Sequence, residues 1–86
     1  MDNSHRIEQM QILLTEQLQP TQLEIIDESH LHAGHAGARE GKGHFKLRIA
    51  STQFDGLRPI QRHRLVFDTL GDMMTTDIHA LSIEIL

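Results

Sequence analysis

Near the start of the chain, apolar residues recur at steps of three and four positions, with polar residues between them. Such spacing places the apolar side chains on one face of a helix. We therefore predict an amphipathic helix that is capped by Asn3 or Ser4 and ends before Pro20. Its apolar face is formed by Ile7, Met10, Leu13, Leu14 and Leu18.

Three later segments have the composition or the alternation of β-strands. The segment QLEIID, residues Gln22–Asp27, is short and rich in branched apolar residues, and HFKLRIAS, residues 44–51, alternates apolar and polar positions. A third strand is predicted for IHALSIEI, residues Ile78–Ile85. Because successive strand residues point to opposite faces, we expect one face of this strand to carry His79, Leu81, Ile83 and Ile85.

A second helix is predicted between the last two strands. The residues FDG form a turn, and Pro59 suits the first turn of a helix that continues through QRHRLVFDTLGDMM. Gly71 weakens this helix near its end by about 1 kcal/mol relative to alanine. We expect its buried stripe to consist of Ile60, Phe67, Leu70 and Met74.

The predicted order is therefore helix, strand, strand, helix, strand. A hairpin followed by a crossover helix and a third strand forms a three-stranded mixed sheet, with both helices packed most simply on one face. We predict a single α+β domain that spans residues 1–86. A chain of this length has room for one small core.

Composition excludes several classes of site. The chain has no cysteine, which excludes a disulfide framework, a thiolate zinc site and a cluster held by the chain's own thiolates. Its net charge of −4 argues against a dedicated nucleic-acid binder. The first residues, MDNSHRIEQM, lack a signal-peptide pattern and no apolar run could span a bilayer, so we expect a cytoplasmic protein without membrane association.

The charges are unevenly distributed along the chain. Before residue 39 the sequence contains Arg6 as its single formal cation, whereas between residues 39 and 64 the cations outnumber the acids. Such a segment can contact an anionic partner or form a solvated surface. Its cations are Arg39, Lys42, Lys46, Arg48, Arg58, Arg62 and Arg64.

Histidine and glycine are concentrated in SHLHAGHAGAREGKGHF, residues 29–45. Glycine flexibility would let several imidazoles converge on a metal, but the spacing matches no established ligand motif. Metal ligation and an ordinary solvated loop therefore both stay open at this point. No nucleophile or phosphate-binding motif accompanies the histidines, so we do not expect catalysis. The histidines concerned are His30, His32, His35 and His44.

Five segments in this order, DESHLHAGHAG, HFKLRIAS, FDG, RHRLV and IHALSI, resemble the BolA family. The resemblance extends from about residue 5 to residue 85. It implies a small domain like the class II KH fold, with the element order given above. The KH-like sheet does not by itself imply RNA binding.

The resemblance implies a partner protein for this chain. Members of the family pair with monothiol glutaredoxins, and the two proteins share a 2Fe–2S cluster that also uses glutathione. The HAL motif assigns the main histidine ligand to His79, and the pattern S-H-x-H-A assigns the second to His32. The neighbouring His30 and His35 are less favoured candidates. Replacing a thiolate by a neutral imidazole at one iron is expected to raise the reduction potential of the cluster.

The family is also linked with transcription in the stress response, which implies a DNA-binding regulator as the alternative. In that case the helix containing RHR enters a groove and basic side chains contact phosphates. We also consider a weak homodimer. The nucleic-acid contacts would come from Lys46, Arg48, Arg58, Arg62 and Arg64.

Overall fold

The computed structural model describes residues 3–29 and 42–86. Within these ranges the structure confirms the predicted order and the α+β class. The elements are α1 (Ser4–Leu18), β1 (Gln22–Asp27), β2 (Gly43–Ala50), one turn of 3₁₀ helix (Thr52–Phe54), α2 (Pro59–Leu70), α3 (Met73–Thr76) and β3 (Ile78–Ile85). Among the described residues, no helix combines the length and the apolar character needed to cross a membrane.

β2 is the central strand of the sheet. It pairs antiparallel with β1 and parallel with β3, as predicted for a mixed sheet. A parallel neighbour requires a crossover connection, and the segment that contains α2 provides it. The register places Ile25, Leu47 and Ile83 side by side across the three strands.

One face of the sheet packs against α1 and α2. Alternate residues of β2 are buried there, because successive strand side chains point to opposite faces. The core consists of Met10, Leu14 and Leu18 from α1, Phe45, Leu47 and Ile49 from β2, Val66 and Leu70 from α2, and Phe54 and Ile78. The opposite face carries Glu24, Arg48 and Glu84, whose side chains are 55%, 42% and 45% exposed, and we call it the open face.

The buried stripe of α2 differs from the predicted one. Ile60 is 67% exposed and Phe67 is 38% exposed, whereas Val66 and Leu70 are buried. Arg62 lies on the buried side of the helix, is partly buried itself and donates from Nε to the carbonyl oxygen of Leu57 at 2.8 Å. The expectation for Ile60 and Phe67 is therefore wrong, because packing against α1 and the sheet selects the face that contains Val66.

The predicted continuation of this helix through Met74 is also wrong. Gly71 follows α2 with a φ of +53°, a conformation that side-chain-bearing residues rarely adopt. Its N–H donates to the carbonyl oxygen of Phe67 at 2.9 Å and closes the last turn. Met74 is half-buried in the separate short helix α3, which leads directly into β3.

Polar side chains join the N-terminus of α1 to the end of β1 and the start of β3. Asn3 donates to Asp27 and to Ser29, each at 3.0 Å. Arg6 donates to Asn3 at 2.8 Å and to Asp77 at 3.1 Å. Asn3 precedes α1, as predicted, but its side chain makes these contacts and no capping hydrogen bond. We call these five residues the sheet-end network.

Gly43 begins β2 at a point of close packing. A Cβ added at Gly43 would overlap the ring of Phe45, which is 1% exposed. The Gly43 N–H also donates to the carbonyl oxygen of Asp77 at 2.9 Å, so the backbone is held in place here. A glycine inside a strand often marks such a close approach.

Replacing Gly43 with alanine is expected to lower the free energy of unfolding by about 1–3 kcal/mol, because the buried Phe45 ring must shift within a packed core. Urea unfolding of Gly43→Ala against wild type measures this loss. In a Phe45→Leu background the same substitution should cost less, since the smaller side chain leaves room. An equal cost in both backgrounds would refute the overlap as its cause.

Asp77 is expected to make stability depend on pH. Hydrogen bonds from the Thr76 hydroxyl and then from Arg6 lower the pKa of Asp77 below its ordinary value of 3.8. A carboxyl with a lowered folded pKa stabilises the protein above its unfolded pKa, and this stabilisation is lost as the pH falls through the folded pKa.

Asp77→Asn should therefore lower the free energy of unfolding at pH 7 by about 0.5–1 kcal/mol, a value that allows for the partial exposure of the Arg6 ion pair. The difference from wild type should shrink as the pH falls below 3.8. Denaturant unfolding between pH 7 and pH 2.5 tests this, with the exposed Asp68→Asn as control. A difference that is constant over this pH range would contradict the assignment.

Candidate functional site

His79 lies near the start of β3 and its side chain is exposed. Gly43 is opposite Ile78 and His44 is opposite Ala80, so β3 contains one extra residue at this point, His79. A bulge of this kind interrupts the alternation of side chains. Ile78 is therefore buried in the core while His79 and Ala80 are both exposed. The prediction that His79 shares a face with Leu81 is wrong for this reason.

The ring of His44 lies next to that of His79. The centroids of the two rings are 5.0 Å apart, and the ring planes are tilted by 48°. His44 is 3% exposed, although it alternates with the core residues of β2 and therefore belongs to the open face. The sequence pattern places His44 among the loop histidines and indicates no separate role for it. Strand alternation alone would place His44 and His79 on opposite faces, so the contact depends on the bulge and had no signal in the sequence pattern.

The loop candidates His30, His32 and His35 lie outside the described residues. The residues that precede this segment, Glu28 and Ser29, contact the backbone of His44, which follows it. The N–H of His44 donates to the Ser29 hydroxyl at 3.1 Å, and the N–H of Glu28 donates to the carbonyl oxygen of His44 at 2.8 Å.

The described residues supply imidazole without further metal ligands. Over residues 3–29 and 42–86, no three His, Asp or Glu side chains converge as a metal site would require. Neutral imidazole is a good ligand for iron, zinc and copper. The described residues therefore contain the adjacent His44 and His79 rings and no complete metal site.

Arg48 is engaged in ion pairs on the open face. It donates from Nε to Glu84 at 2.6 Å and from Nη1 to Glu24 at 3.0 Å. The hydrogen bond that Arg48 donates to Glu84 is the main cause of a raised pKa for Arg48, and the same bond lowers the pKa of Glu84. Lys46 lies on the same face and is partly buried.

The remaining cations proposed for nucleic-acid contact lie on the other side of the sheet, in and just before α2. Arg58 and Arg64 are exposed, as is His63, and Arg62 is engaged with Leu57 as described above. The structure therefore separates Arg58, Arg62 and Arg64 from Lys46 and Arg48, and does not bring all five into one surface. Next to Arg64, a shallow groove is lined by Pro59, Ile60, His63 and Phe67.

Comparison with known proteins gives a consistent result. The family model described as BolA-like protein matches residues 14–86. The chain is 45% identical over 75 residues to SufE-like protein 1, chloroplastic/mitochondrial, of Arabidopsis thaliana, covering 81% of this chain and 20% of that protein. It is 44% identical over 71 residues to the DNA-binding transcriptional regulator BolA of Vibrio cholerae, covering 83% of this chain and 64% of that protein.

Solved structures agree with these relatives. The BolA domain of SufE1 from Arabidopsis thaliana superposes with a TM-score of 0.82 at 38% identity, covering 99% of this chain and 93% of that domain. The chain thus spans a fifth of the first relative's length and nearly all of its BolA domain. With the family model matching most of the sequence and the fold agreeing throughout, this chain belongs to the BolA-like protein family.

Proposed function

We propose that this chain is a non-enzymatic partner of a monothiol glutaredoxin and that the two proteins share a 2Fe–2S cluster, with His79 as an iron ligand. The observation that carries this proposal is the bulge at the start of β3. It turns His79 out of the core and exposes it beside the open face, where none of the helices in residues 3–29 and 42–86 packs.

The donor set of the chain suits this role. A 2Fe–2S cluster needs four protein or thiol ligands, and histidine replaces two of the cysteines in Rieske centres. This chain has no cysteine, so it can contribute only nitrogen or oxygen ligands, and imidazole is the one that Rieske centres use. The glutaredoxin and glutathione would supply one thiolate each, and His79 would supply one nitrogen. For the remaining ligand the family resemblance favours His32 over His30 and His35.

In this arrangement the chain binds the cluster and orients it, while the cluster supplies the redox chemistry. Assembly, delivery or sensing of iron are the roles open to such a complex. The names of the relatives reported above mention neither a glutaredoxin nor an iron–sulfur cluster. The proposal is therefore based on the family resemblance and on the chemistry of the exposed histidine.

DNA binding is the second candidate function, because the V. cholerae relative is named a DNA-binding transcriptional regulator. In this chain the contacts would come from α2, where Arg58 and Arg64 are exposed. Arg48 is a poor candidate, because both of its acidic neighbours already neutralise it.

His79→Ala should abolish the response of the shared cluster to this chain. A 2Fe–2S cluster is reconstituted on a monothiol glutaredoxin with glutathione, and visible circular dichroism is recorded while this chain is added. Wild type should reshape the spectrum because an imidazole replaces a ligand at one iron, and His79→Ala should leave it unchanged. The exposed His63→Ala on α2 should behave as wild type. A wild-type response from His79→Ala would refute the proposal.

For the DNA-binding alternative, affinity should fall steeply with salt because bound cations displace counterions from phosphates. The logarithm of the binding constant should fall linearly with the logarithm of the salt concentration. Arg64→Gln should reduce the steepness of this slope by about 0.9. Lys46→Gln, which makes the same charge change on the other side of the sheet, should not alter the slope. A flat salt dependence for wild type would exclude DNA binding by this mechanism.

A further inference from the structure

We infer that two copies of this chain associate through their helices, with α1 of each copy packed against α2 of the other. The inference is independent of the proposed function, because such a dimer leaves the open face of the sheet uncovered. It is carried by two exposed apolar grooves of opposite charge, one on each helix of the same molecule.

Exposed apolar side chains are concentrated on the helices. Among residues 3–29 and 42–86, the large apolar side chains that remain exposed are Ile12, Ile60, Phe67 and Leu86. Three of these four lie on α1 or α2, and Ile12 and Ile60 are 44% and 67% exposed. Apolar patches rimmed by polar residues mark protein contact sites, whereas single exposed apolar side chains need no explanation. The outer side of the two helices is therefore a candidate contact surface.

The exposed side of α1 is acidic. A shallow groove lies there, which we call the acidic stripe, and it is lined by Glu8, Gln11, Ile12, Thr15 and Glu16. Glu8 and Glu16 each lie one helical turn from Ile12, on either side of it. The one formal cation of α1, Arg6, is engaged with Asn3 and Asp77. Ile12 is therefore flanked by two carboxylates that no arginine or lysine of the same helix offsets.

The exposed side of α2 is basic. The groove described above continues at Arg64, and we call its residues the basic stripe: Pro59, Ile60, His63, Arg64 and Phe67. Arg58, exposed just before the helix, adds a second cation, and Asp68 is the single acid of α2. Within residues 3–29 and 42–86, neither Arg58 nor Arg64 makes an ion pair. The apolar side chains of α2 thus lie beside uncompensated positive charge.

The two stripes allow the molecule to complement itself. α1 and α2 contact each other on the same face of the sheet. A twofold axis between them places α1 of one copy opposite α2 of the other, and the symmetry repeats the contact. Each acidic stripe then meets a basic stripe, and Ile12 of one copy packs against Ile60 and Phe67 of the other.

Charge selects this arrangement among the ways in which two helical layers can meet. Packing α1 against α1 would oppose Glu8 and Glu16 to their own copies, and packing α2 against α2 would oppose Arg64 to itself. Juxtaposed like charges are costly at an interface, so the mixed pairing is favoured. A second copy of the chain satisfies both stripes at once, which is why we assign this surface to it.

The dimer is measured by sedimentation equilibrium between roughly 10 μM and 1 mM, a range that suits an interface below standard size. Wild type should show a monomer–dimer equilibrium. Glu16→Arg and Arg64→Glu should each raise the dimer dissociation constant roughly tenfold or more, because each change acts twice in a twofold interface. Lys46→Glu makes the same charge change as Arg64→Glu on the open face and should leave the constant unchanged.

Exchange of charge between the stripes separates a direct contact from a structural effect. A mixture of Glu16→Arg and Arg64→Glu should form a heterodimer about as stable as the wild-type dimer. In that mixture one protein carries two basic stripes and the other carries two acidic stripes, so both contacts are matched. The double variant should associate with itself and not with wild type. Structural damage from either substitution would not be reversed by mixing.

The apolar part of the contact has its own variant. Ile60→Ser should also weaken the dimer, while unfolding at a concentration where wild type is monomeric should be unchanged, because this side chain is 67% exposed. Far-ultraviolet circular dichroism establishes that each variant is folded. Dimerisation of Ile60→Ser with the wild-type constant would contradict the packing of Ile12 against Ile60 and overturn the inference.

Three further outcomes would overturn the inference. The first is wild type that stays monomeric up to about 1 mM. The second is a pair of charge variants that do not associate when mixed. The third is monomeric wild type whose salt-dependent DNA binding is lost in Arg64→Glu, which would assign α2 to nucleic acid. None of these outcomes bears on His79, because the response of the shared cluster is measured separately.

Discussion

The register of β2 between its two neighbours is the constraint on which the rest of the molecule depends. Phe45, Leu47 and Ile49 are buried against α1 and α2, so a shift of one residue would move Lys46 and Arg48 into the core. The cost of burying those charges excludes the shifted register. Everything on the open face, including the position of His44, follows from this choice.

The same register arranges the charges. Glu24 and Glu84 are the residues directly opposite Arg48 on the two neighbouring strands, and each makes an ion pair with it. A segment that is basic along the sequence is therefore largely neutral where it crosses the sheet. The cations of α2 face the other way, so the basic character of the segment is divided between two surfaces.

Local order at the histidine end of the sheet comes from a different set of contacts. The sheet-end network joins α1 to β1 and to the residue before β3. Gly43 leaves room for the Phe45 ring, and its N–H donates to the carbonyl oxygen of Asp77. These contacts hold the starts of β2 and β3 next to each other. The bulge at His79 lies at this point, which is why a fixed pair of imidazoles can form there.

The sequence by itself determined the order of the elements, the bounds of β1 and β3 and the apolar face of α1, because these depend on residues that are neighbours along the chain. Only the tertiary structure decided which face of α2 is buried and that His79 points outward. The face of α2 is selected by packing against α1 and the sheet, and the bulge arises from pairing with β2. Neither interaction is encoded in the local period of a segment, since each depends on a partner distant in sequence.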